Sequence, residues 1–103
     1  MLTVIETPIF QRMVTEVWND VERSEFIAFI SETPSAGDVI PGAEGLRKVR
    51  WSRPGMGKRG GARVIYFTRL VAGEVVLIAV YTKAKFDNMP VAVLKSWKEA
   101  YDA

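Results

Sequence analysis

The residues with chemistry to offer are concentrated in one basic stretch. From Arg47 to Arg63 the sequence carries seven cations (Arg47, Lys48, Arg50, Arg53, Lys58, Arg59, Arg63) and no acid. A cluster of one sign repels itself, and the partner that compensates it is a polyanion, most commonly a phosphate backbone. Successive side chains of a strand alternate between faces, so Lys48 and Arg50 share one face while Arg47, Val49 and Trp51 share the other. If a following strand opening near Arg63 pairs with this one, three head groups can gather around one phosphate. The intervening loop, Arg53 to Gly61, would add cations and backbone N–H groups at the rim. The plainer alternative is a solvated hairpin whose charges serve only solubility.

Other chemistries are excluded by what is missing or misplaced. The chain has no histidine and no cysteine, which removes thiolate metal sites, disulfides and the usual acid–base residue near neutral pH. No metal site and no cofactor are expected. Gly55, Gly57 and Gly60 spell G-x-G-x-x-G, but a dinucleotide site needs a helix after the glycines. Here the run Val64-Ile65-Tyr66-Phe67 reads as a strand. Gly57-Lys58 resembles the end of a phosphate-binding loop, yet Arg59 stands where Ser or Thr would hold Mg²⁺.

The elements around this hairpin are those of a small scaffold. Leu2 to Ile5 reads as a short strand. Thr7-Pro8 is a helix start, followed by Phe10, Met13, Val14, Val17 and Trp18 at helical spacing. Asn19 with Glu22 predicts a capping box opening a second helix, which Thr33-Pro34 ends. A turn-rich loop over 34–42 follows, then strands at about 46–51, 62–68 and 75–82, with Gly73 in the last tight connection. The final strand is apolar almost throughout and therefore reads as central. A last amphipathic helix begins near Pro90, with Val91, Leu94, Trp97 and Tyr101 on one side. The expected architecture is a single α+β domain over residues 1–103, in the order β-α-α-β-β-β-α. Its curved, mostly antiparallel sheet would carry the helices on one face and leave the other open to a ligand.

Charge is divided along the chain. Residues 1–46 hold two cations and eight acids, residues 47–103 twelve cations and four acids, so the net +2 conceals a polarised surface. No apolar run approaches the ~20 residues of a membrane span, and the first residues lack the basic start of a secretory signal. A cytoplasmic protein with no membrane partner is the expectation.

Three segments carry a family resemblance: Gly37-Asp38-Val39-Ile40-Pro41-Gly42, Gly45-Leu46-Arg47-Lys48-Val49-Arg50 and Gly57-Lys58-Arg59-Gly60-Gly61-Ala62-Arg63-Val64-Ile65-Tyr66. They resemble the RelE/ParE superfamily of toxins from type II toxin–antitoxin systems, in particular the HigB-like branch. The resemblance implies a compact fold of the microbial-RNase type and a ribosome-dependent mRNA endonuclease. It implies as partners the ribosome, its mRNA and a cognate antitoxin, often with a helix-turn-helix DNA-binding domain, so that DNA is met only indirectly. It carries the catalytic cations over to Lys48, Arg50 and Arg63, and RNA or ribosome contacts to Arg47, Arg53, Lys58, Arg59, Lys83 and Lys85. The run Lys83-Ala84-Lys85-Phe86-Asp87-Asn88 departs from relatives that place arginines and a tyrosine there, and leaves the acid for the leaving group unassigned.

In that family the 2′-hydroxyl attacks the adjacent phosphorus and leaves a cyclic phosphate, without metal. The step needs a base, stabilisation of a dianionic phosphorane and a proton for the 5′-oxygen. With histidine absent, Lys48 is the candidate base; arginine keeps its proton, so Arg50 and Arg63 are candidate clamps. Two alternatives share the fold: a ParE-like toxin that inhibits gyrase, and a nucleic-acid-binding module without catalysis.

Overall fold

The computed structural model describes residues 1–51, 61–83, 85 and 89–102. The chain runs β1 (Thr3–Glu6), α1 (Pro8–Val14), α2 (Asp20–Glu32), β2 (Asp38–Val39), β3 (Arg47–Trp51), β4 (Ala62–Arg69), a 3₁₀ turn at Leu70–Ala72, β5 (Glu74–Thr82) and α3 (Val91–Asp102). The α+β class and the element order are as the sequence predicts, with one addition. The turn-rich loop contains a two-residue strand, β2, which pairs Asp38 with Lys48 and Val39 with Arg47.

The caps act where their residues stand. Thr7 accepts from the Phe10 amide and donates its hydroxyl to the Leu77 carbonyl at 2.9 Å, so the start of α1 is fastened to β5. Asn19 and Glu22 form a reciprocal capping box, each side chain accepting the other's backbone N–H at 2.9 Å. Gly73 takes a left-handed φ of 70° after the 3₁₀ turn, a conformation glycine adopts without steric cost.

The five strands form one sheet in the order β1-β5-β4-β3-β2. Every pairing is antiparallel except β1 with β5. A bulge interrupts the β4–β5 ladder, where Ile65 faces Ala79 but Tyr66 faces Leu77. One residue of β5, Ile78, is therefore extra, and the side-chain alternation of β5 shifts by one beyond it.

The helices do not share a face. Phe10, Val14, Phe26 and Ile30 of α1 and α2 pack with Val49, Val64, Tyr66, Val75, Leu77 and Val80. Leu94 of α3 packs with Ile65, Phe67, Val76, Ile78 and Tyr81, joined by Trp97 and Tyr101. These strand residues alternate, so α3 lies on the side opposite α1 and α2. The expectation of all helices on one face is corrected accordingly. The physical reason is β5 itself, which is apolar on both faces from Val75 to Tyr81 and needs cover on both. Arg69 and Asp102 form an ion pair that ties the end of β4 to α3. The α3 side is thus closed at the Phe67 end of β4, leaving the Arg63 end for the site.

Candidate nucleic-acid interface

The β3–β4 pairing brings the predicted cations together. Arg50 stands directly opposite Arg63, and Lys48 opposite Ile65. By alternation all three belong to the α3 side of the sheet, beyond the part that α3 covers. Across the next ladder Arg63 faces Tyr81, so Arg50, Arg63 and Tyr81 form a row over three strands. Arg50 is exposed and Lys48 half-buried, while Arg63 is only 8% exposed.

Two hollows meet at Arg50. One, of about 140 Å³, is lined by Arg50, Gly61, Ala62, Arg63 and Lys83. The other, of about 470 Å³, lies along the outer edge of β3 and is lined by Ala36, Asp38, Lys48, Val49 and Arg50. Among the described residues, no acid forms an ion pair with Lys48, Arg50, Arg63 or Lys83. Opposed like charges destabilise a strand pair. A half-enclosed set of guanidinium and ammonium groups without counter-charge is a site for an oxyanion, and the arginines' fork geometry suits a phosphate.

The remaining predicted residues divide. Lys83 joins the first hollow. Arg47 points to the other face, where its Nη1 donates to the Gly37 carbonyl at 2.8 Å. Lys85 leaves the cluster for α1, pairing with Glu16 at 2.7 Å. Hydrogen bonding to Lys85 and its positive charge hold the Glu16 carboxyl below the usual range. Arg53, Lys58 and Arg59 lie outside the described residues.

Two residues at the site escaped the sequence reading. Tyr81 sits beside Arg63 and is 2% exposed; burial pushes its phenol above the ordinary value, against the pull of Arg63. Asp38 faces Lys48 and is the acid in the wall of the second hollow. Its place is set by buried Tyr66, whose hydroxyl accepts from the Gly37 N–H at 2.8 Å and donates to the Pro34 carbonyl at 2.7 Å. Gly37 is required there, because a Cβ would come within 2.9 Å of the Lys48 carbonyl and of the Tyr66 ring and hydroxyl. The loop before β2 is therefore clamped between β3 and β4.

No family model matches the sequence. Among solved structures, the chain is similar to a mutant of the E. coli toxin RelE in the free state. The TM-score is 0.58 at 14% identity, over 94% of this chain and 96% of that one. The fold is RelE-like. No helix among the described residues is long and apolar enough to cross a membrane.

Proposed function

We propose that this chain is a HigB-like mRNA endonuclease toxin, acting on messages held by the ribosome and neutralised by a cognate antitoxin. The observation that carries the reading is the meeting of Arg50, Arg63 and Lys83 in one hollow with no acid among its described lining residues, and Lys48 beside them. The RelE-like fold supports it, as do the sequence segments that resemble the HigB-like toxins.

The order of the strands supports the following division of roles. Lys48 on β3 and Lys83 just past β5 flank the Arg50–Arg63 pair, two strand spacings of ~4.8 Å apart across the sheet and about four residues of ~3.3 Å apart along it, roughly 16 Å between backbone positions. The Lys48 amine takes the 2′-proton while the 2′-oxygen forms a bond to phosphorus. Arg50 and Arg63 hold the two negative charges of the phosphorane. The bond from phosphorus to the 5′-oxygen breaks, and the Lys83 ammonium supplies the proton that this oxygen takes. The products are a 2′,3′-cyclic phosphate and a 5′-hydroxyl, with both lysines exchanging protons with solvent afterwards. A set made only of cations has weak acid–base power, so the ribosome must bend the backbone into line.

Induced expression followed by message-end mapping tests the proposal. Cleavage inside translated messages, absent from naked RNA and abolished in Lys48→Ala and Arg63→Ala together, is the expected result. Intact messages with DNA breaks would place the chain with the gyrase-inhibiting toxins. Binding of RNA with neither kind of damage would leave it a non-catalytic module.

A further inference from the structure

We propose that the hollow at the outer edge of β3 is a nucleobase subsite in which Asp38 reads adjacent N–H donors, and that guanine fits it best. The inference rests on the RNA-cleaving reading above and names the specificity of that same site. The hollow adjoins the cation-lined one, with Arg50 in the wall of both. It exists because β2 is only two residues long: β2 covers Arg47 and Lys48, and β3 runs three residues further without it. A nucleotide whose phosphate lies against Arg50 and Arg63 brings its base to this notch.

The polar groups there are of two kinds. The Asp38 carboxylate only accepts hydrogen bonds, whereas Lys48 beside it is the base of the reaction above. They are cross-strand neighbours, yet among the described residues they form no ion pair with each other or with any other group. Both are left available to a ligand. Single-stranded RNA is read on the Watson–Crick edges of its bases. Guanine presents there two neighbouring donors, N1–H and the 2-amino group, beside an acceptor, O6. One carboxylate takes both donors, and Lys48 is left to the 2′-hydroxyl. Cytosine and adenine offer a single amine. Uracil offers one N–H between two carbonyls, which a carboxylate repels. The preference runs from guanine, through cytosine and adenine, to uracil.

The subsite is also held in place before any ligand arrives. Gly37, next to Asp38, donates its N–H to the buried Tyr66 hydroxyl and accepts from Arg47, each at 2.8 Å. Such support is what a reading group needs to discriminate between bases.

The test uses the purified full chain and two probes, guanosine 3′-monophosphate and uridine 3′-monophosphate, titrated by calorimetry or NMR. Wild type should bind the guanosine nucleotide at least tenfold more tightly. Asp38→Asn should weaken it by about 10- to 100-fold, the range of a lost bidentate base contact, and leave the uridine nucleotide bound no more weakly than by wild type. A thermal melt confirms that the variant folds, and Asp38→Ser serves as the second variant if it does not. Arg63→Met should weaken both probes alike, since it acts on the phosphate. Equal binding of the two probes by wild type, or no binding of either, overturns the proposal. So does an equal loss of both in Asp38→Asn, which would make Asp38 a positioning residue for Lys48. Message mapping stands apart from these outcomes: a base preference with intact messages would refute the nuclease and leave the subsite standing.

Discussion

Replacing Arg63 with methionine should make the protein more stable and inactive at once. Arg63 is 8% exposed, faces Arg50 across one ladder and shares a hollow with Lys83. No acid among the described residues compensates it. Two unit charges about 6 Å apart repel by roughly 0.7–2.8 kcal/mol as the effective dielectric runs from ~80 to ~20. Cross-strand pairs fall toward the lower end of that range, at ~0.2–1 kcal/mol each. Methionine keeps an unbranched stem against Ile65 and Tyr81 and removes the buried charge. The net expectation is a gain of about 1 kcal/mol, read as a rise in Tm of about 4 °C for a domain of this size. The gain should shrink in high salt, because the Debye length falls to ~3 Å at 1 M. Urea melts of wild type and Arg63→Met at low and high salt measure it, beside a growth assay in which the variant should be harmless. Loss of 1 kcal/mol or more in Arg63→Met would refute the reasoning, because the guanidinium would then be a structural tie and not a group held ready for an anion.

Four further outcomes follow from the same geometry. Tyr66→Phe leaves the Gly37 N–H and the Pro34 carbonyl without their partner and should cost about 2–3 kcal/mol in urea unfolding. Gly37→Ala forces its new methyl against the Lys48 carbonyl and the Tyr66 ring, and should cost about 1–3 kcal/mol by the same measurement. Burial raises the phenols of both Tyr66 and Tyr81 above the ordinary 10.0. Their unfolded forms therefore lose protons first as pH rises, so stability is flat below that value and falls above it. The difference between wild type and Tyr81→Phe, measured across pH 9–11, should show that fall. Asn19→Ala removes the capping box of α2 and should lower stability by about 1 kcal/mol, seen as a lower urea midpoint with an unchanged slope.

Where local chemistry decides structure, the sequence was legible. Thr7-Pro8 and Asn19 with Glu22 start helices because capping needs only neighbours three residues away. Lys48 and Arg50 share a face because strand alternation is a property of the backbone. The side taken by α3 was not legible, since the continuous apolar run of β5 signals burial without saying which helix covers which face. That same run, read strictly, argued against any bare face along Val75–Tyr81. Tyr81 was hidden by the bulge: counting back from the Gly73 turn without it would pair residue 80 with Arg63 and send Tyr81 to the opposite side. Asp38 was hidden because its pairing is imposed by Tyr66, a residue remote in sequence whose hydroxyl fixes the loop.

The five residues of β3 carry both the packing and the charges, on alternate sides of a single ribbon. A substitution there alters one property at a time. A deletion or insertion of one residue alters both together, turning Lys48 and Arg50 inward and delivering Val49 and Trp51 to the opposite side. Drift in this segment is consequently confined to replacements at constant length, and a frame slip between Leu46 and Trp51 would disarm and unfold the molecule in one event.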